Sequence, residues 1–154
     1  MKHLKTYALK LAFISFAIAP CSTLWAQSYE VIVNPINQMQ PLSKGALQQL
    51  FLKQRTIAGY QVKSDGNKHL FNLEPIDNQS NESYQGFYLA LMGWGVSQVN
   101  TYWNNKRFSG SSLIPQGLTN TQQVINYVAK HQAAISYIPI EDDSSQIRAL
   151  QIIQ

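Results

Sequence analysis

Short β-branched runs closed by proline alternate along this chain with stretches whose apolar residues recur about every three or four positions. Tyr29 to Val33 (YEVIV) ends at Asn34-Pro35, and Ala134 to Ile138 (AISYI) ends at Pro139. Arg148 to Ile153 has the same character. Between the first two runs lie helical patterns. Ser43 is placed to cap a helix carrying Leu47, Leu50 and Phe51 at i, i+3 and i+4. Asn81 or Ser83 caps a second helix, with Phe87 and Leu91 on one stripe. Ser97 caps a third, bearing Val96, Val99 and Trp103. Thr119 to Thr121 opens a fourth, where Val124, Ile125 and Val128 form the apolar face. Strands separated by helices, in a chain of 154 residues, predict one α/β domain with helices layered on a mixed sheet. Ser64-Asp65-Gly66-Asn67 is a turn, because Asp-Gly supplies the left-handed geometry a tight turn needs. Leu70 to Pro75 follows it, with Phe71 and Leu73 alternating against polar neighbours.

Residues 1–26 have the organisation of a cleaved secretory signal. Lys2, His3, Lys5 and Lys10 form a positive start, Leu11 to Ala19 an apolar run, and Leu24-Trp25-Ala26 a processing site. The apolar run is far shorter than the roughly 20 residues a membrane-spanning helix requires. A lipoprotein signal ending at Cys21 is an alternative, although Pro20 occupies the position where a small residue is needed. A buried N-terminal helix of the folded domain is the other. The domain proper is therefore residues 27–154, with a periplasmic location expected for a Gram-negative source.

Cys21 is the only cysteine and lies within the segment expected to be removed. Disulfides, thiolate metal sites and cysteine nucleophiles are then excluded together. The formal charge of +4 also depends on that segment. Without Lys2, Lys5 and Lys10, twelve basic residues become nine, against eight acidic ones. Such a balance, with no basic cluster, argues against a nucleic-acid partner. No later segment is apolar enough to span a membrane.

Residues suited to catalysis are sparse. His69 and His131 have no neighbours at metal-ligand spacing, and His131 at a helix end complements the helix dipole. Gly93-Trp94-Gly95 fits a helix connector, and Glu141-Asp142-Asp143 fits a solvated acidic loop, though it could hold a cation. Neither a nucleophile elbow nor a phosphate-cradling glycine loop with lysine is present. These observations point to binding without catalysis and imply no metal and no cofactor. The remaining candidate is Ser80-Asn81-Glu82-Ser83-Tyr84, a polar stretch entering a helix. Backbone N–H groups and the dipole at a helix start can hold an anion, while Ser and Asn there also serve as ordinary caps.

In this order, the motifs resemble those of short relatives of phosphate ABC-transporter substrate-binding proteins, in the type II periplasmic binding protein superfamily. The resemblance runs from about Val31 to Ile138. It comprises Val31 to Pro35, Leu42-Ser43, Leu50 to Lys53 and Ser64-Asp65-Gly66. It continues through Phe87 to Gly93, Tyr102-Trp103, Arg107 to Gly110, Val124 to Val128, and Ala134 to Ile138. The family's anion loop has the form Gly-Ser-Gly-Thr-Arg, and counting back from Phe87 places Ser80 to Tyr84 upon it. The resemblance thus implies a candidate anion site of Ser80, Asn81, Ser83 and Tyr84.

Two departures bear on that site. Glu82 stands where the family has Gly, and Tyr84 where it has Arg. A carboxylate repels a bound anion, and loss of the guanidinium removes the bidentate partner oxyanions favour. The chain also has material for one lobe rather than two, so no second lobe closes over a ligand. The resemblance therefore implies a single-lobe, exported substrate-binding protein that takes up a small phosphate-like anion reversibly and weakly. An ABC permease is the partner it implies. The alternative is a periplasmic interaction module that docks on another envelope protein without binding phosphate.

Overall fold

The computed structural model describes residues 29–110 and 114–153. The expected signal segment, with Cys21, lies outside them. β1 (Tyr29–Val33) leads into β2 (Leu42–Ser43) and α1 (Lys44–Phe51). The hairpin β3 (Ala58–Val62) and β4 (Lys68–Asn72) is followed by β5 (Glu74–Asn78), α2 (Asn81–Met92) and α3 (Val96–Phe108). β6 (Gln116–Leu118), α4 (Thr121–Lys130), β7 (Ala134–Pro139), β8 (Arg148–Leu150) and β9 (Ile152–Ile153) complete the order.

Five strands form the central sheet in the order β6-β5-β7-β1-β8. β5 is parallel to β6 and β7, whereas β1 runs antiparallel to β7 and β8. Side chains alternate between its faces, and both faces are covered. Val31, Val33, Ile135 and Tyr137 meet Leu47, Leu50, Phe51, Phe87, Leu91, Val99 and Trp103 from the first three helices. Ile32, Ala134 and Ile138 meet Val124, Ile125 and Val128 of α4. This is the layered α/β architecture that the strand and helix alternation predicts, with β7 buried on both sides.

Helix ends follow capping chemistry, with three corrections to the sequence expectations. Ser43 caps α1 as expected, its Oγ accepting from the Ala46 N–H at 3.2 Å. Neither Asn81 nor Ser83 caps α2. Ser80 holds that position and makes no side-chain cap bond. Ser97 does not cap α3, which starts after Gly95, whose N–H donates to Gln98 Oε1 at 3.0 Å. The opening of α4 narrows to Asn120, whose Oδ1 accepts from the Gln123 N–H at 2.9 Å. Gly93 ends α2 at φ +73°, a conformation that costs glycine least.

Two strand expectations also change. Leu70 to Pro75 divides between β4 and β5, because the Leu73 N–H turns to the Ile57 carbonyl. Arg148 to Ile153 divides at Gln151, where β8 pairs with β1 and β9 pairs with β2 instead. Among the described residues no helix is long and apolar enough to cross a membrane.

Candidate functional site

The start of α2 sits at the C-terminal ends of β5 and β7, and Asn78 organises it. The buried Asn78 amide donates to Thr121 Oγ1 at 3.1 Å and to the Tyr137 carbonyl at 3.5 Å. Its Oδ1 accepts from both the backbone N–H (3.2 Å) and the hydroxyl (2.9 Å) of Ser80. Ser80 Oγ is thereby drawn away from the helix, so the N–H groups of the first turn of α2 have no side-chain cap. An uncapped first turn with its dipole aimed outward can accept an anion.

A pocket of about 690 Å³ opens over this turn, lined by Tyr29, Ser80, Asn81, Glu82, Ser83, Thr121, Pro139, Glu141 and Asp142. Ser80, Asn81 and Ser83 thus line one pocket, with Ser83 buried. The lining includes three carboxylates and neither Lys nor Arg. The Tyr29 hydroxyl donates to the Glu82 carbonyl at 3.0 Å. Partial burial, then the charges of Glu141 and Glu82, push its pKa up. Gly86 makes this bond possible, because a Cβ there would fall on the Tyr29 hydroxyl.

Tyr84, the fourth residue of the expected site, is absent from this pocket lining. It lines a separate cavity of about 370 Å³, together with Asp77, Trp103 and Arg107. The reason is packing. Residues 81–84 already belong to α2, and adjacent helical residues point about 100° apart. Tyr84, three residues on from Asn81, is instead held by packing against the core. The Tyr84 ring packs on Tyr88 at 5.0 Å, and burial, then the nearby Asp77, push its hydroxyl up to about 12.

Sequence reasoning missed Tyr29, Asn78 and Thr121 as parts of the site. Asn78 carried one clue, as an amide at the end of a buried run with no local role. Glu141 and Asp142 reach the pocket, while Asp143 accepts from the N–H and hydroxyl of Ser145 in its own turn. Among the described residues no group of three or more His, Cys, Asp or Glu side chains could hold a metal ion. His131 Nδ1 lies 2.8 Å from the Tyr127 carbonyl, as a helix-end histidine should.

No protein-family model matches the chain, and no curated protein matches it. Solved structures do. An ABC-type phosphate transport receptor from Vibrio cholerae aligns over 81% of this chain and 46% of its own, with 14% identity and a TM-score of 0.50. A protein from Clostridium perfringens, assigned as a phosphate ABC transporter substrate-binding protein and solved with bound phosphate, aligns over 81% and 44%, with 12% identity and a TM-score of 0.55. A candidate phosphate-binding protein from Planctomyces limnophilus aligns over 82% and 42%, with 12% identity and a TM-score of 0.55. The chain spans less than half the length of each of these proteins. At such identities the likeness is one of fold: this is a mixed α/β domain with the architecture of a single periplasmic-binding-protein lobe.

Proposed function

We propose that this chain is an exported, phosphate-transporter-like binding module that holds a small oxyanion weakly and reversibly at the start of α2. The observation that carries this reading is the uncapped first turn, left open because Ser80 bonds to Asn78. Ser83 and the backbone N–H groups would supply the contacts, and no bond is made or broken. Tyr84 has no place in this contact set. The likeness to phosphate-binding structures supports the ligand class, and residues 1–26 support export to the periplasm. An ABC permease is the partner that fits this reading.

Weakness follows from charge. A unit charge 4 Å from a bound anion's charge costs about 1 kcal/mol even at the dielectric of water. Glu82, Glu141 and Asp142 all line the pocket. That acidic lining favours the second reading, a module that docks on another envelope protein and leaves phosphate unbound. Calorimetric titration of phosphate into the purified protein separates the two. Saturable heat that is lost in Ser83→Ala supports oxyanion capture. Absence of heat at millimolar phosphate, with a stoichiometric partner seen by native mass spectrometry of protein from cells, supports docking.

A further inference from the structure

Distinct in its lining from the site proposed above is the cavity bordered by Asp77, Gln79, Tyr84, Asn100, Trp103 and Arg107. Its volume of about 370 Å³ falls within the range of small-molecule pockets. Two of its groups lack what burial ordinarily demands. Trp103 is only 5% exposed, and its Nε1 is buried without a hydrogen-bond acceptor among the described residues. A buried donor left unpaired is costly and rare. Asp77 is 2% exposed and its hydrogen-bond partners are neutral, the hydroxyls of Tyr88 (3.0 and 3.3 Å) and Tyr137 (3.4 Å), with the charge of Lys53 the weakest of the influences on it. Buried carboxylates are normally matched by a cation.

The remaining lining completes a gradient of charge. Asn100 and Arg107 lie on one face of α3 with Trp103, and both are exposed. The cavity therefore has an acidic, buried wall at Asp77 and a basic rim at Arg107, with an indole donor seeking an acceptor. A lone anion would satisfy Trp103 and Arg107 but meet Asp77. A lone cation would satisfy Asp77 but leave the indole unpaired. We infer that this cavity binds a small zwitterion of the α-amino acid class, its ammonium toward Asp77 and its carboxylate toward Trp103 Nε1 and Arg107. The aromatic faces of Tyr84 and Trp103 suit the ammonium as well. Burial drives the Asp77 carboxyl up to about 7, and an ammonium beside it would hold it ionised.

The test follows the indole N–H signals of the purified, 15N-labelled protein, with Trp103→Phe identifying the Trp103 signal. Glycine, L-serine and L-glutamine are the zwitterionic probes, and propionate and ethylammonium the single-charge controls. At least one amino acid should shift the Trp103 signal saturably, with each control about tenfold less effective at equal concentration. Asp77→Asn should abolish the shift. Arg107→Gln, on an exposed side chain that leaves the fold intact, should weaken binding at least about fivefold. The inference is overturned if none of the three amino acids shifts the signal up to about 20 mM. It is equally overturned if propionate alone acts as well, or if Arg107→Gln changes nothing. Phosphate binding at the start of α2 is independent of all these outcomes.

Discussion

The rings of Phe87 and Tyr137 lie face to face, their centroids 3.6 Å apart and their planes 4° from parallel. Phe51 meets the same pair edge-on, 5.0 Å from Phe87 and 5.6 Å from Tyr137. The stack fastens α2 to the doubly buried strand β7, and so fixes where the first turn of α2 opens. Tyr137 also reaches Asp77 and the Asn78 carbonyl at 3.4 Å each, tying the core to both cavities.

Phe87→Ala should therefore cost about 3–5 kcal/mol, the usual range for a buried aromatic. Phe87→Leu, which keeps most of the volume, should cost less than half of that. Urea unfolding of the two variants checks the ratio. Near-parental stability in Phe87→Ala would contradict the packing described.

Gly86→Ala should destabilise the fold by about 1–3 kcal/mol, because the new methyl displaces the Tyr29 ring and its bond to the Glu82 carbonyl. In a Tyr29→Ala background the same change should be nearly free. The difference is a coupling energy from a double-mutant cycle.

Much of the fold could be read locally. The stripes of Leu47, Leu50 and Phe51 and of Val124, Ile125 and Val128 are buried helical faces, because helical period is a short-range property. What could not be read locally depends on distant pairing. Leu42-Ser43 becomes a strand only by lying beside Ile152 and Ile153. Asn34, apparently a strand terminator, sends its amide to the Val128 and Ala129 carbonyls and so holds the end of α4. The site divides for the same reason. Ser80, Asn81 and Ser83 are neighbours in sequence and in space. Glu141 and Asp142 join them through the β7 end, and Tyr84 leaves them because its ring packs on the core beside Tyr88.

Stability should fall as pH rises from about 4 to 7. Burial raises the folded Asp77 carboxyl from 3.8 to about 7, so across that interval the folded protein binds more protons than the unfolded chain. The slope of unfolding free energy is then negative, and the loss levels off above the folded value, at about 4 kcal/mol. Asp77→Asn removes this group's contribution and should flatten the slope. Urea titrations from pH 4 to 8 on both proteins measure it.

Carboxylates set the strength of the oxyanion site. Glu82→Gln and Glu141→Gln should each improve phosphate affinity about 3- to 10-fold, with the gain shrinking in salt. Tyr84→Arg should give none of this, because Tyr84 lines the other cavity. Calorimetry at low and moderate ionic strength compares the three variants.

The most direct measurement is a phosphate titration followed through the backbone amide signals of α2. The expected result is a saturable shift confined to Asn81, Glu82, Ser83 and the facing Thr121, with a dissociation constant of about 1–10 mM, weakened in Ser83→Ala. Amides of α2 that remain still at tens of millimolar phosphate would contradict oxyanion capture at this helix start, as would shifts centred elsewhere in the domain.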